Sequence, residues 1–176
     1  MTPAFHVVLI ILMLLLFNMK KIGVIGLGNP LRRDDGIGIV LLEKLVKHRH
    51  KLPRNIQFID GGTGGMNIFH MLVQFDIVLI IDAAFFNDIP GYGRFLTLQE
   101  IKNNRISFVS LTHEFDIFRV INLAKELKKV PKHILFFCIQ PKDTSFGTEL
   151  SKEMQQNVKE LLKKLIIELK KICEES

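Results

Sequence analysis

The sequence predicts an α/β fold, a three-layer sandwich with a mainly parallel central sheet and helices on both faces. Three observations predict it. From Lys21 onward, short apolar runs alternate with segments of helical periodicity, the rhythm of βα units. The run at 77–81 is an unbroken series of Ile, Val and Leu, the composition of a central strand buried on both faces. Finally, the strand-like runs stop at Gly- or Pro-containing turns or at a single carboxylate, as at Gly28-Asn29-Pro30, Asp82 and Gln140-Pro141.

The elements follow in order. Residues 22–27 read as a short buried strand. A helix is expected over 35–50, with Ile37, Leu41, Leu42, Leu45 and Val46 facing inward and Asp34-Asp35 capping its start. Pro53 lies beyond it, and 56–59 forms the second strand. The turn Asp60-Gly61-Gly62-Thr63-Gly64-Gly65 leads to a short helix carrying Ile68, Met71 and Leu72. After the central strand at 77–81, Pro90-Gly91 marks a turn before a strand at 94–98, antiparallel at one edge. Residues 107–112 read as a loop with some extended structure. A helix over 115–129, a strand over 133–139 and a long amphipathic helix complete the chain. That last helix aligns Val158, Leu161, Leu162, Leu165, Ile166, Leu169 and Ile172 on one stripe.

With 176 residues, 48% of them hydrophobic, the chain suits one α/β domain, placed at 19–176. The net charge of +6 raises nucleic acid and anionic membranes as partners. Much of that excess comes from lysines on predicted helices, such as Lys152, Lys159, Lys163, Lys164, Lys170 and Lys171, which read as a solvated face. No nucleic-acid partner is therefore expected. Cys138 and Cys173 form no paired motif, which excludes a structural zinc site and fits a reducing, cytoplasmic setting. Cys138, within an apolar run, reads as a buried inert thiol.

Residues 1–18 form an apolar leader. The run at 7–17 is too short to span a bilayer as a helix, and it lacks the basic flank and small-residue cleavage site of a signal peptide. Met19-Lys20-Lys21-Ile22 reads like an authentic start. The leader is accordingly expected to be a mis-assigned start or a dispensable extension, with a membrane anchor as the alternative and no membrane contact expected elsewhere.

Ligands of open α/β sheets bind beyond the carboxyl ends of the strands. Asp34-Asp35, Asp82 and His113 stand at such ends or in their loops. A carboxylate following Val78-Leu79-Ile80-Ile81 is drawn toward the core and needs compensation from a metal, a basic side chain or backbone amides. Two carboxylates and an imidazole form a mixed oxygen and nitrogen set suited to zinc, manganese, iron, cobalt or nickel. Each residue also has a plain structural reading, as a first-turn helix residue, a turn acceptor or a surface histidine. Gly26-Leu27-Gly28 lacks the third glycine of a dinucleotide fingerprint, so no nucleotide cofactor is expected.

The same residues resemble the hydrogenase maturation proteases. The matching blocks are Gly26-Leu27-Gly28-Asn29-Pro30-Leu31 through Asp34-Asp35-Gly36-Ile37-Gly38, Asp60-Gly61-Gly62-Thr63, Ile80-Ile81-Asp82-Ala83, Leu111-Thr112-His113 and Ile139-Gln140-Pro141. The resemblance implies a central sheet between helices and a metal site at Asp35, Asp82 and His113, with Asp35 and Asp82 as catalytic residues. It implies an endopeptidase that removes the C-terminal peptide of a nickel-loaded [NiFe] hydrogenase large-subunit precursor. The nickel arrives with the substrate, and other divalent metals such as zinc or cadmium can occupy the site. Asp34, Gly61 and Thr63 are expected to shape the loops, and a monomer is expected. Glu114-Phe115 departs from the family pattern after the histidine.

Two other readings remain. One is a non-catalytic binding protein or chaperone for a hydrogenase subunit. The other is peptidyl-tRNA hydrolase, which shares the Gly-Leu-Gly-Asn-Pro turn. Here, however, that turn leads to Arg32-Arg33-Asp34-Asp35, and an acidic pair suits RNA phosphates poorly.

Overall fold

β1 (Ile22–Gly26) lies between two parallel neighbours, β2 (Ile56–Asp60) and β3 (Ile77–Phe85). On its other side β3 pairs in parallel with β6 (His133–Ile139). The edge strand β4 (Gly93–Thr97) runs antiparallel to β6, giving the order β2-β1-β3-β6-β4. A two-residue strand, β5 (Ser107–Phe108), pairs antiparallel with the end of β3. The structure, a computed structural model, describes residues 20–104, 106–109 and 115–175.

Alternation along the strands divides the core into two layers. Ile77, Leu79, Ile81 and Ala83 of β3 face α1 (Ile37–Lys47) and α5 (Lys152–Glu174). Val78, Ile80 and Ala84 face α2 (Asn67–Leu72), α3 (Leu98–Asn103) and α4 (Phe115–Glu126). The expected sandwich with a mainly parallel sheet is present. Its edge strand is antiparallel, as the turn at Pro90-Gly91 predicts.

Several boundaries differ from the sequence reading. Residues 33–36 form a 3-10 turn, and α1 begins only at Ile37. Its N-cap is Gly36, and the Asp34 carboxylate, expected to cap it, is bonded instead to the segment before α5. Val46 is exposed, because the inward stripe ends with Leu45. β3 does not stop before Asp82 but runs to Phe85, because β6 continues the ladder to Ala83 and β5 holds Ala84 and Phe85. α3 has no counterpart in the sequence reading, although Thr97-x-x-Glu100 is a capping-box signature and both reciprocal bonds form. α4 ends at Glu126, short of the expected 129, and Leu127 beyond it is exposed. The leader and His113 lie outside the described residues.

Two glycines set the close approach of α1 to the sheet. A Cβ on Gly38 would stand 2.1 Å from the Leu27 carbonyl oxygen and 2.4 Å from that of Ile81. Gly28, at φ 138°, leaves room for the Asp35 carbonyl, which a Cβ would meet at 2.0 Å.

Candidate active site

The carboxyl ends of β1 and β3 sit side by side, joined beyond the ladder by the Leu27 N–H donating to the Ile81 carbonyl at 2.8 Å. The 3-10 turn carrying Asp34 and Asp35 packs against β3. Asp35 (2% exposed) and Asp82 (1% exposed) therefore share one end of the sheet, and both are buried. Asp82 is inside the strand, its Oδ1 accepting the Ala83 N–H at 2.7 Å. In register it stands beside Cys138, on the face covered by α2, α3 and α4. Burial pushes the Cys138 thiol well up from its ordinary range; the Asp82 carboxylate adds to that rise and Arg94 opposes it. Cys138 is thus an inert thiol, as its apolar surroundings predict.

The third expected ligand, His113, is outside the described residues. The chain departs toward it from β5, where Val109 donates its N–H to the Ala83 carbonyl at 3.0 Å, one residue from Asp82. Among the described residues, no cluster of three or more His, Cys, Asp or Glu side chains forms a cation site. What the described residues do supply toward this end of the sheet is the buried carboxylates of Asp35 and Asp82.

Asp34 plays a different part from its neighbour. Its side chain is fully buried and accepts four hydrogen bonds from the segment between β6 and α5. Oδ2 receives the backbone N–H groups of Lys142 at 2.9 Å and Asp143 at 3.1 Å and the Ser151 hydroxyl at 2.8 Å. Oδ1 receives the Ser151 N–H at 2.7 Å. Four donors from one distant segment, two of them on Ser151, compensate the buried carboxylate. Ser151 in turn caps α5 by accepting the Met154 N–H at 3.2 Å. Nearby, Arg33 pairs with Asp143 at 3.2 Å. The Asp143 carboxyl is held below the usual range chiefly by the backbone N–H of Ser145.

The glycine turn after β2 closes the other side. Gly28 donates its N–H to the Gly62 carbonyl at 2.8 Å, and Gly62 donates to the Asp60 carboxylate at 2.8 Å. Gly61 thus belongs to a turn that braces the loop after β1. Thr63 is exposed, with no hydrogen bond of its side chain among the described residues.

Gln140 has a role that its place in the Ile-Gln-Pro block did not reveal. Its buried side-chain oxygen accepts the Phe86 N–H at 2.9 Å. Its backbone N–H donates to the Tyr92 carbonyl at 2.9 Å, and its carbonyl accepts the Gly91 N–H at 2.8 Å. One residue thereby fastens the segment after β3 to the sheet. Around this end of the molecule stand the exposed apolar side chains of Leu31, Met66, Phe85, Ile89 and Phe146, the last 84% exposed.

Residues 39–168 match the family described as hydrogenase maturation protease (HycI), a stretch that begins just past Asp35 and includes Asp82 and His113. The hydrogenase expression/formation protein HupD of Thiocapsa roseopersicina is 28% identical over 139 residues, covering 78% of this chain and 62% of its own. The hydrogenase 2 maturation protease of Escherichia coli K12 is 25% identical over 154 residues, covering 85% of this chain and 91% of its own. The chain spans a little under two thirds of the first HupD relatives, 62% and 64% of their lengths. In fold, it superposes on the hydrogenase maturating endopeptidase HybD from E. coli with a TM-score of 0.72, at 22% identity over 86% of this chain and 93% of that one.

Proposed function

Because this chain belongs to the hydrogenase maturation protease family, we propose that it is an endopeptidase that removes the C-terminal peptide of a nickel-loaded hydrogenase large-subunit precursor. One observation carries the reading. Asp35 and Asp82, two buried carboxylates on different elements, both lie toward the carboxyl end of a mainly parallel sheet, the turn of one packed against the strand of the other. Among the described residues no helix is long and apolar enough to cross a membrane, which suits a protein meeting its substrate in the cytoplasm.

In this reading the nickel belongs to the substrate. Asp35, Asp82 and His113 contact it when the precursor docks, so unloaded precursor lacks the group that completes the encounter. Zinc or cadmium would fit the same donors. Hydrolysis adds the oxygen of water to the scissile carbonyl carbon and breaks the C–N bond. The substrate's metal polarises the reacting groups, while Asp35 or Asp82 accepts the proton of the attacking water and returns it to the leaving amine.

The test is cleavage of the host's large-subunit precursor, nickel-loaded and nickel-free, followed as mass lost from its C-terminus. Cleavage of the loaded form alone is expected. Cleavage of both would remove nickel as the recognised signal. If neither form were cut beside a verified partner, the endopeptidase reading would be wrong.

A further inference from the structure

Asp82 on β3 is in register with Cys138 on β6, and Cys138 with Arg94 on the edge strand β4. Residues in register across a sheet project to the same face, so the three side chains form one row. Two inter-strand spacings separate the outer members, about 10 Å between Cα atoms. Between them in this row of the sheet stands the short, buried Cys138 side chain.

The Arg94 guanidinium is held firmly. It lies over the Phe86 ring, 4.5 Å from the centroid, and Phe86 is fastened through its N–H to the buried Gln140 side chain at 2.9 Å. Yet Arg94 Nε is buried and has no hydrogen-bond partner among the described residues. A buried N–H without an acceptor is costly, and native structures seldom keep one unless a ligand or water fills the gap. An aromatic platform fixes the plane of the guanidinium without occupying its N–H donors.

We propose that Arg94 is a substrate-binding residue that grips a carboxylate of the precursor beside Asp82. This rests on the endopeptidase reading of the same site. A polypeptide substrate offers one kind of anion matched to a guanidinium fork, the carboxylate. It comes either from an Asp or Glu side chain or from the chain end that cleavage creates. The distance from Asp82 corresponds to about three residues of extended chain, so either source lies close to the scissile bond.

Affinity for the loaded precursor, steady-state cleavage and inhibition by the mature large subunit, compared across wild type, Arg94→Lys and Arg94→Met, test this. If a side-chain carboxylate is bound, Arg94→Met weakens precursor binding and raises KM by about 10-fold or more, with kcat changed less than about 3-fold. If the new chain end is bound, precursor affinity holds while inhibition by the mature subunit weakens by a similar factor. Arg94→Lys retains charge without the planar fork and falls between wild type and Arg94→Met. Unchanged precursor and product affinity in a folded Arg94→Met protein overturns the proposal, as does a loss confined to kcat. A wild-type protein that binds precursor without cutting it would defeat the endopeptidase reading, while the binding comparison would still decide the part played by Arg94.

Discussion

The Asp34 carboxylate grips Ser151 twice, accepting its N–H at 2.7 Å and its hydroxyl at 2.8 Å, although the two residues are 117 positions apart. That contact ties the turn after β1 to the cap of α5. It also holds the backbone that presents the next residue, Asp35. Removing it leaves four part-buried donors without this acceptor. Asp34→Ala is expected to lower stability by about 3 kcal/mol or more. Urea unfolding measures this; a loss below about 0.5 kcal/mol would make the cluster incidental.

Asp35 and Asp34 are neighbours with separable parts, and paired substitutions distinguish them. On the proposed reading, in which both contact the substrate's metal and one of them accepts the proton, Asp35→Asn and Asp82→Asn are each expected to slow precursor cleavage by roughly 100-fold or more. Asp34→Ala is expected to show its main effect in unfolding. Wild-type cleavage by Asp82→Asn would remove that residue from the chemistry.

Gly38 tests how closely α1 must approach the sheet. Its added Cβ would meet two backbone oxygens, at 2.1 and 2.4 Å, and backbone cannot step aside as a side chain tip can. Gly38→Ala is expected to cost about 3 kcal/mol or more and to shift the turn bearing Asp35. Gly62→Ala is the control. Nothing stands within 4 Å of its Cβ, so only the left-handed φ of 55° opposes it, at roughly 1 kcal/mol. Equal thermal shifts for the two variants would refute steric closeness as the reason for Gly38.

Cys138 and Cys173 offer a chemical probe of the core. Burial raises both thiols, and at Cys138 the Asp82 carboxylate adds to the effect. The half-buried Cys173 is expected to react with iodoacetamide in the native protein while Cys138 stays unmodified until unfolding. A raised folded pKa means that the folded state holds its proton longer. The stability it contributes is present below the ordinary thiol range and falls as pH rises through it and beyond. Peptide mass mapping of the labelled protein decides the order; early labelling of Cys138 would contradict its burial.

The parallel strands, the antiparallel edge and the long last helix were legible because their signals are local: apolar runs, period and turn residues. The strand-end carboxylates were legible for the same reason, since Asp82 interrupts an apolar run. What stayed hidden is long-range. No local pattern says that β3 continues past Asp82, because β5 and β6 supply the partners. Nor does one say that Asp34 bonds a segment more than a hundred residues away instead of capping α1. Nor does a local pattern place Arg94, on the edge strand, in one row with Asp82, which only the register does. α3 was missed for a different reason: its six residues are too few for a periodic signal, and only the Thr97–Glu100 pair announces it.

That pair yields a pH prediction. Glu100 Oε2 accepts the Thr97 N–H and the Thr97 hydroxyl, both at 2.7 Å, and Thr97 Oγ1 accepts the Glu100 N–H at 3.3 Å. The backbone bond from Thr97, followed by the hydroxyl bond, holds the Glu100 carboxyl below its ordinary range. A depressed folded pKa favours the ionised form in the folded state. Its contribution is therefore present above the ordinary glutamate range, near 4.3, and is lost as pH falls through the lower folded value. Glu100 is fully exposed, so the effect belongs to α3 locally and is weakened by salt. Carbon-detected NMR titration should find Glu100 among the most acidic glutamates, and Thr97→Ala should move it back toward the ordinary range. Glu100→Gln should flatten the acid limb of amide-exchange protection in α3 without touching the sheet. An unshifted Glu100 in the wild-type protein would mean that the reciprocal cap does not persist in solution.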